Sequence, residues 1–184
     1  MVYHMTVAGL ERDLPICPVS ENLSIAGFVI FGDQELTVAC ARELLKKAPE
    51  YDYIITAEAK GIPLAHEMAR QAGDAKYFVA RKGSKLYMRD TFGVAVRSIT
   101  TDREQHLYLD GSDAKLIKGK RILVLDDVIS TGESLTALEA LVEKAGGIIC
   151  GRMAILAEGE AKDRKDIIYL EPLPLFNPDG TPKG

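Results

Sequence analysis

Residues 122–135, ILVLDDVISTGESL, limit the possible fold more than any other stretch of the chain. Four apolar residues run without alternation into Asp126 and Asp127, the pattern of a strand buried on both faces. A small-residue turn, Ser130-Thr131-Gly132, follows, and helical periodicity begins beyond it. A doubly buried strand that passes straight into a helix belongs to a parallel sheet covered by helices. Two adjacent like charges at the end of such a strand oppose each other's ionisation, which calls for a partner to face them.

The same alternation runs through most of the chain. Residues 25–31 (IAGFVIF) read as a short apolar strand. Asp33 is placed to cap a helix to about Lys47, with Leu36, Ala39, Cys40, Leu44 and Leu45 on one face and Pro49 as the stop. Residues 53–57 are β-like, and Pro63 suits the first turn of a helix ending near Gly73. Residues 77–80 form a third short strand. The basic stretch 81–93 reads as a long loop, and 94–100 with 106–109 as a hairpin. A strand at 121–125 leads to a helix over 131–145, stopped by Gly146-Gly147. Residues 148–157 and 167–170 are further strands. The tail, EPLPLFNPDGTPKG, carries four prolines and is expected to be irregular with a mobile end. Strand and helix alternate three times, so the expected class is α/β, an open parallel sheet with helices on both faces. At 184 residues, 47% of them hydrophobic, and with no repeat or linker, the chain fits one domain over 1–184.

Several function classes lose their warrant. A net charge of -4 gives no general attraction to nucleic acid, so any anion site is local. The first residues, MVYHMTVAGLERDL, lack the features of a signal peptide, and charges interrupt every apolar run short of a membrane span. Cys17, Cys40 and Cys150 are far apart and read as thiols in a reducing cytoplasm. His66 opens HEMAR, where Arg70 stands in place of the second histidine of a zinc-protease motif. No side-chain metal cage is evident. Glu133 follows Gly132 where a P-loop needs lysine, and no G-x-G-x-x-G occurs.

In open α/β folds ligands sit at the carboxyl ends of strands. Three segments leave those ends with unusual chemistry: Glu58-Ala59-Lys60-Gly61, Arg81-Lys82 and Asp126-Asp127. Between strand and helix, residues 129–134 offer free backbone N–H groups, the hydroxyls of Ser130, Thr131 and Ser134, and a glycine for close approach. A phosphate monoester suits that turn, and a sugar diol suits the carboxylates. A ribose 5-phosphate satisfies both halves. Taken alone, Ser130 or Thr131 could simply cap the helix and the aspartates could be solvated; the combined string is far more specific.

Residues 123–135, LVLDDVISTGESL, resemble the phosphoribosyl pyrophosphate (PRPP) motif of type I phosphoribosyltransferases: apolar run, two acids, two apolar residues, a hydroxyl, Thr-Gly and a further hydroxyl. The element order over residues 33–157 is similar to that family's core. The resemblance implies that Asp126 and Asp127 hold the ribose, and that Ile129, Ser130, Thr131, Gly132, Glu133 and Ser134 hold the 5′-phosphate. In YIITAEAKGIPLA (53–65), Ala59, Lys60 and Gly61 match a loop that grips pyrophosphate, often through a cis peptide. ARKGSKLYM (80–88) resembles the stretch before the catalytic loop of adenine phosphoribosyltransferases, so Arg81, Lys82 and Lys85 would also meet the pyrophosphate. Arg81, Lys82 and Asp127 are then the expected catalytic groups. The implied chemistry is displacement of pyrophosphate from C1 of the ribose by a ring nitrogen of a nucleobase, without a protein nucleophile. Mg2+, bound mainly through PRPP, and basic side chains would stabilise the departing charge, each contact contributing roughly 2–4 kcal/mol.

AGFVIFGD (26–33) is similar to the adenine-branch segment in which an aromatic stacks on the base, which would make Phe31, with Ile30, the base contacts. Gly32 stands where that branch has arginine, and one residue is inserted. Ser130 replaces an aspartate usual in the hypoxanthine-guanine branch and argues against it. Asp102 and Glu104 fall near the adenine branch's loop glutamate, in a stretch longer than the family pattern. The resemblance therefore implies a purine phosphoribosyltransferase of salvage metabolism, adenine first, with xanthine or orotate as alternatives. It also implies a cytoplasmic homodimer, a small hood from about 1–32 and 158–184, and a flexible loop over 81–110. The partners are PRPP and a base, with no nucleic acid or membrane. A non-catalytic PRPP-binding regulator of transcription is a rival reading, disfavoured by Lys60, Arg81 and Lys82. A receiver-like signalling domain would not need the Ser-Thr-Gly turn, and a scaffold would explain none of the loops.

Overall fold

The computed structural model describes residues 1–97 and 104–183. Its centre is a five-stranded sheet, all parallel, built from β4 (Tyr53–Ala57), β5 (Phe78–Ala80), β8 (Arg121–Ile129), β9 (Ile148–Glu158) and β10 (Ile168–Leu173). The strands lie in the order β10-β9-β8-β4-β5. The apolar runs need no alternation because both faces are covered. Ile54, Leu123 and Leu125 face a core shared with α1 (Gln34–Leu45) and α2 (Gly61–Ala72). Ile55, Ile122 and Val124 face a second core with α4 (Glu133–Lys144), α3 (Gly111–Ile117) and the antiparallel hairpin β6 (Phe92–Arg97) and β7 (Glu104–Leu109).

Local signals account for the helix ends. Asp33 accepts from the Leu36 N–H at 3.0 Å and caps α1, as its position before the apolar stripe implies. Gly73, at φ +78°, closes α2 in the left-handed conformation that suits glycine. Helix α3 went unread because DGSDAKLIKG looks like turn chemistry; Asp110 caps it by accepting from the Ser112 N–H at 2.9 Å.

The chain ends depart from expectation. The expected strand over 25–31 is confined to β3 (Leu23–Ala26), and β1 (Val2–Val7) and β2 (Leu10–Ser20) precede it in an antiparallel sheet, β1-β2-β3. Ala8 and Gly9 both take positive φ in the tight turn between β1 and β2, a geometry whose usual marker, Asn-Gly, is missing from the sequence. The tail is ordered further than its prolines suggest. Strand β10 continues through Pro172 because it is an edge strand, where a missing donor is tolerated. Beyond it Phe176 exchanges backbone hydrogen bonds with Ser24 and packs edge-on against Tyr3, with its own side chain fully buried. Arg12, on β2, ties this small sheet to the core by a two-pronged contact with Asp33 at 2.6 and 3.1 Å and a third to Glu35 at 2.9 Å. Residues 98–100 of the expected hairpin lie outside the described residues.

Strand order positions the site. In chain order the sheet's strands are second, first, third, fourth, fifth when read from β5 to β10, so the connections reverse direction between β4 and β8. A crevice opens at such a reversal, outside the carboxyl ends of the two strands. Both candidate loops, 58–60 and 126–134, leave there.

Candidate active site

A cavity of about 580 Å³ lies over this crevice. Asp126, Asp127, Ser130 and Ser134 come to it from β8 and the turn, Ala59 and Lys60 from the loop after β4, and Lys82 from the basic loop after β5. Three segments far apart in sequence thus meet at one place. The Glu58–Ala59 peptide is cis.

The aspartates lie within β8, not beyond it as the expected strand at 121–125 required. Asp126 pairs with Ala154 in register and hydrogen bonding continues to Ile129. Their carboxyls are therefore held on a rigid element. Asp127 is 3% exposed. Its Oδ2 lies 2.8 Å from Lys60 Nζ, an ion-pair distance without hydrogen-bond alignment, so this buried oxygen has no hydrogen-bond partner. Asp126 accepts from the Asp127 N–H at 2.8 Å. Burial, then the neighbouring Asp127 charge, push the Asp126 carboxyl well above the usual carboxylate range. Lys60 also donates to the Phe28 carbonyl at 3.3 Å, so one ammonium serves both acids and the loop opposite. The pair has more acceptor capacity than this protein satisfies, which suits hydroxyl donors or a cation.

The turn beyond leads into α4 without a side-chain cap. Helix α4 starts at Glu133, two residues later than the sequence pattern suggested, with Gly132 at φ +83° as its cap and no side-chain capping bond. Ser130 and Thr131 are exposed and do not cap the helix. Ile129, Ser130, Thr131, Gly132, Glu133 and Ser134 line a small concavity of about 40 Å³ shared with Asp126. Unpaired N–H groups at the start of a helix favour anions in general.

A Cβ on Gly61 would fall 2.1 Å from Thr56 Oγ1, so its missing side chain lets α2 close onto β4. The basic loop is also more tied down than its composition implies. The Glu58 carboxylate accepts from Arg81 Nε at 2.8 Å and from the Lys82 N–H at 2.5 Å, while Arg81 Nη1 donates to the Tyr87 hydroxyl at 2.6 Å. Burial raises the Glu58 pKa, but the Lys82 N–H and Arg81 outweigh it and leave the group below the usual range. Arg81 is thus paired at the root of the loop, Lys82 lines the cavity, and Lys85 is not among the lining residues.

The expected base contacts need correction. The Ile30 side chain is fully buried in the core beneath α1, and Phe31, half exposed, does not line the cavity. The residues of this segment that line the cavity are Ile25, Ala26, Gly27, Phe28 and Val29. Glu104 pairs with His106 at 3.1 Å and is not a lining residue; Asp102 lies outside the described residues. Sequence reasoning missed Gln105 and Glu158 in the cavity wall. It also missed Arg164, whose Nη1 would stand 2.7 Å from a Cβ on Gly132, with Nε and Nη2 held by Asp166 at 3.0 and 2.7 Å. Arg164 sits in a polar run with no local signal.

Among the described residues no group of three or more His, Cys, Asp or Glu side chains is arranged to hold a metal ion, and no helix is long and apolar enough to cross a membrane.

Comparison with known proteins agrees with this geometry. A family model described as a phosphoribosyl transferase domain matches residues 31–172. The hypoxanthine/guanine phosphoribosyltransferase of Methanococcus voltae is 31% identical over 159 residues, covering 86% of this chain and 81% of the relative. The protein of the same name from Methanocella paludicola is 32% identical over 148 residues, 80% of this chain and 70% of the relative. Among solved structures, adenine phosphoribosyltransferase from Thermoanaerobacter pseudethanolicus superposes with a TM-score of 0.68 at 21% identity, covering 86% of this chain and 95% of that one. The Saccharomyces cerevisiae adenine phosphoribosyltransferase gives 0.66 at 21% identity, covering 86% and 92%. The chain belongs to the phosphoribosyl transferase family and has its fold, with the switch-point cavity as its candidate active site.

Proposed function

We propose that the protein transfers the 5-phosphoribosyl group of PRPP to a purine base. The observation that carries this is the convergence of the acid pair, the uncapped turn and Lys60 with Lys82 on one cavity at the β4/β8 reversal. Asp126 and Asp127 accept from the ribose hydroxyls. The N–H and hydroxyl groups of 129–134 take the 5′-phosphate. The loop at 59–60 and Lys82 take the pyrophosphate, with Arg81 and Lys85 on the loop that closes over it. The C1–O bond breaks and its electron pair leaves with pyrophosphate; the bond from the ring nitrogen to C1 forms, and the base's N–H proton passes to the pyrophosphate or to water. Positioning and charge on the leaving group supply the catalysis, and exclusion of water protects the reactive sugar.

Mg2+ fits this reading as a cofactor carried largely by PRPP. The orphaned Asp127 oxygen and the raised Asp126 carboxyl are the protein groups suited to hold it or its water. When bound, it neutralises charge on the pyrophosphate. A homodimer in the cytoplasm completes the proposal.

A 6-oxopurine is the favoured base class, in place of adenine. The adenine expectation leaned on Phe31 and Ile30, which do not line the cavity, and the curated relatives at 31% and 32% identity are named for hypoxanthine and guanine. The solved adenine enzymes share the fold at 21% identity and support only that. The names of those relatives weigh against reading Ser130 as a mark against the hypoxanthine-guanine branch. The test is incubation with PRPP, Mg2+ and single bases, following nucleotide and pyrophosphate together. Stoichiometric formation of both with hypoxanthine or guanine is expected; neither product with any base would refute the assignment.

A further inference from the structure

We propose that Glu58 is a positioning residue for the transfer: its carboxylate fixes the backbone from which Lys82 reaches the cavity. The inference rests on the phosphoribosyl-transfer reading and adds to it a residue that acts through another.

Glu58 follows β4 directly and lines the cavity with Ala59, Lys60 and Lys82. A bare carboxylate at that place would repel a pyrophosphate. This one is engaged at both oxygens. Its Oε2 accepts from Arg81 Nε at 2.8 Å, and its Oε1 accepts from the Lys82 N–H at 2.5 Å. Burial works against its charge, but the Lys82 N–H and Arg81 outweigh that and keep it ionised at neutral pH.

These contacts hold main chain as well as side chain. The Glu58 N–H donates to the Ala80 carbonyl at 3.0 Å, while Arg81 and Tyr108 exchange both backbone hydrogen bonds, at 2.9 and 2.8 Å. Residues 80–82 are therefore gripped by the loop after β4 on one side and by β7 on the other. Lys82 is the last residue of that grip before the loop runs out through Gly83 and Ser84. Its ammonium has no hydrogen bond or ion pair within the described residues. With the main chain fixed, only the Lys82 side chain remains to be ordered when a ligand arrives. An unpartnered ammonium on a fixed backbone is preorganised for the charge that grows on a departing pyrophosphate.

The test compares Glu58→Gln and Glu58→Asp with wild type in steady-state transfer with PRPP, Mg2+ and a purine base, each also in a Lys82→Ala background. Glu58→Gln turns one acceptor into a donor, so it cannot serve Arg81 Nε and the Lys82 N–H together. It should lower kcat on the order of 10- to 100-fold with KM for the base unchanged. Glu58→Asp, which keeps the charge, should recover part of that loss. In the Lys82→Ala background Glu58→Gln should cost little more, because the group it positions is gone. Equal losses in the two backgrounds, or wild-type kcat in Glu58→Gln, would overturn the positioning role while leaving the transferase reading intact. The Lys82 amide of the ligand-free wild type is expected to exchange slowly with solvent in NMR spectra. Exchange as fast as that of an open loop would overturn the role without any variant, so a misfolded substitution cannot shelter the proposal. Absence of nucleotide from the wild type with every base would remove both readings.

Discussion

At the scale of single residues, the carboxyl pair in β8 costs the folded state stability. Asp126 titrates above its unfolded value, so the folded state binds a proton that the unfolded chain releases. The penalty for ionising it is absent below the unfolded pKa of roughly 4 and is reached in full as pH rises through the raised folded value. Asp126→Asn removes that penalty. It is expected to gain about 1–2 kcal/mol at pH 8, or roughly 2–8 °C in Tm, with the gain vanishing towards pH 4 in thermal melts across pH. The same variant should weaken PRPP binding in calorimetry. A variant destabilised at pH 8 would contradict this account of the pair. Stability yielded for function is a common feature of active sites.

At the scale of elements, the loop at 58–60 is shaped by how closely α2 approaches β4. The Gly61→Ala methyl would meet Thr56 Oγ1, a fully buried atom, at 2.1 Å. The helix must therefore shift, at a cost of about 1–3 kcal/mol, and the loop at 58–60 moves with it. Product inhibition by pyrophosphate should weaken in this variant. Adding Thr56→Ala removes the colliding oxygen and should restore most of the stability, because the nearest remaining atom is the Thr56 Cβ at 3.3 Å. Denaturant unfolding of the single and double variants checks both claims; equal stabilities would locate the strain elsewhere. Elements with strong local signals were legible in the sequence: α1 by its Asp33 cap, α2 by Pro63 and Gly73, β4 and β9 by apolar runs. Those whose stability comes from distant partners were not. Strand β2 contains Pro15 and Pro18 and is held by β1 and β3 on either side.

At the scale of the whole molecule, the two chain ends form one lid on the core. Phe176 reaches across from the tail to Ser24 and Tyr3, while Arg12 clamps the N-terminal sheet to the start of α1. Phe176→Ala should cost about 3–5 kcal/mol, since the ring is fully buried and its neighbours come from both ends. Because β10 also delivers Leu173 to the cavity, the loss should raise KM for the base more than KM for PRPP. Steady-state kinetics with both substrates tests this, and an equal change in the two would separate the tail from the base wall.

The sequence by itself determined the chemistry of the turn and its neighbours: paired acids, hydroxyls, a helix start and a basic loop. These depend on residues adjacent in the chain, whose backbone and side-chain preferences are local. Only the tertiary structure decided which loops share a cavity, that Arg81 is spent on Glu58, that Ile30 is core, and that Glu158 lines the cavity. Those outcomes follow from strand order and from which face of each element is buried. Both are set by pairing between segments far apart in the chain, as Tyr53 lies opposite Ile122, and nothing in a local window encodes them.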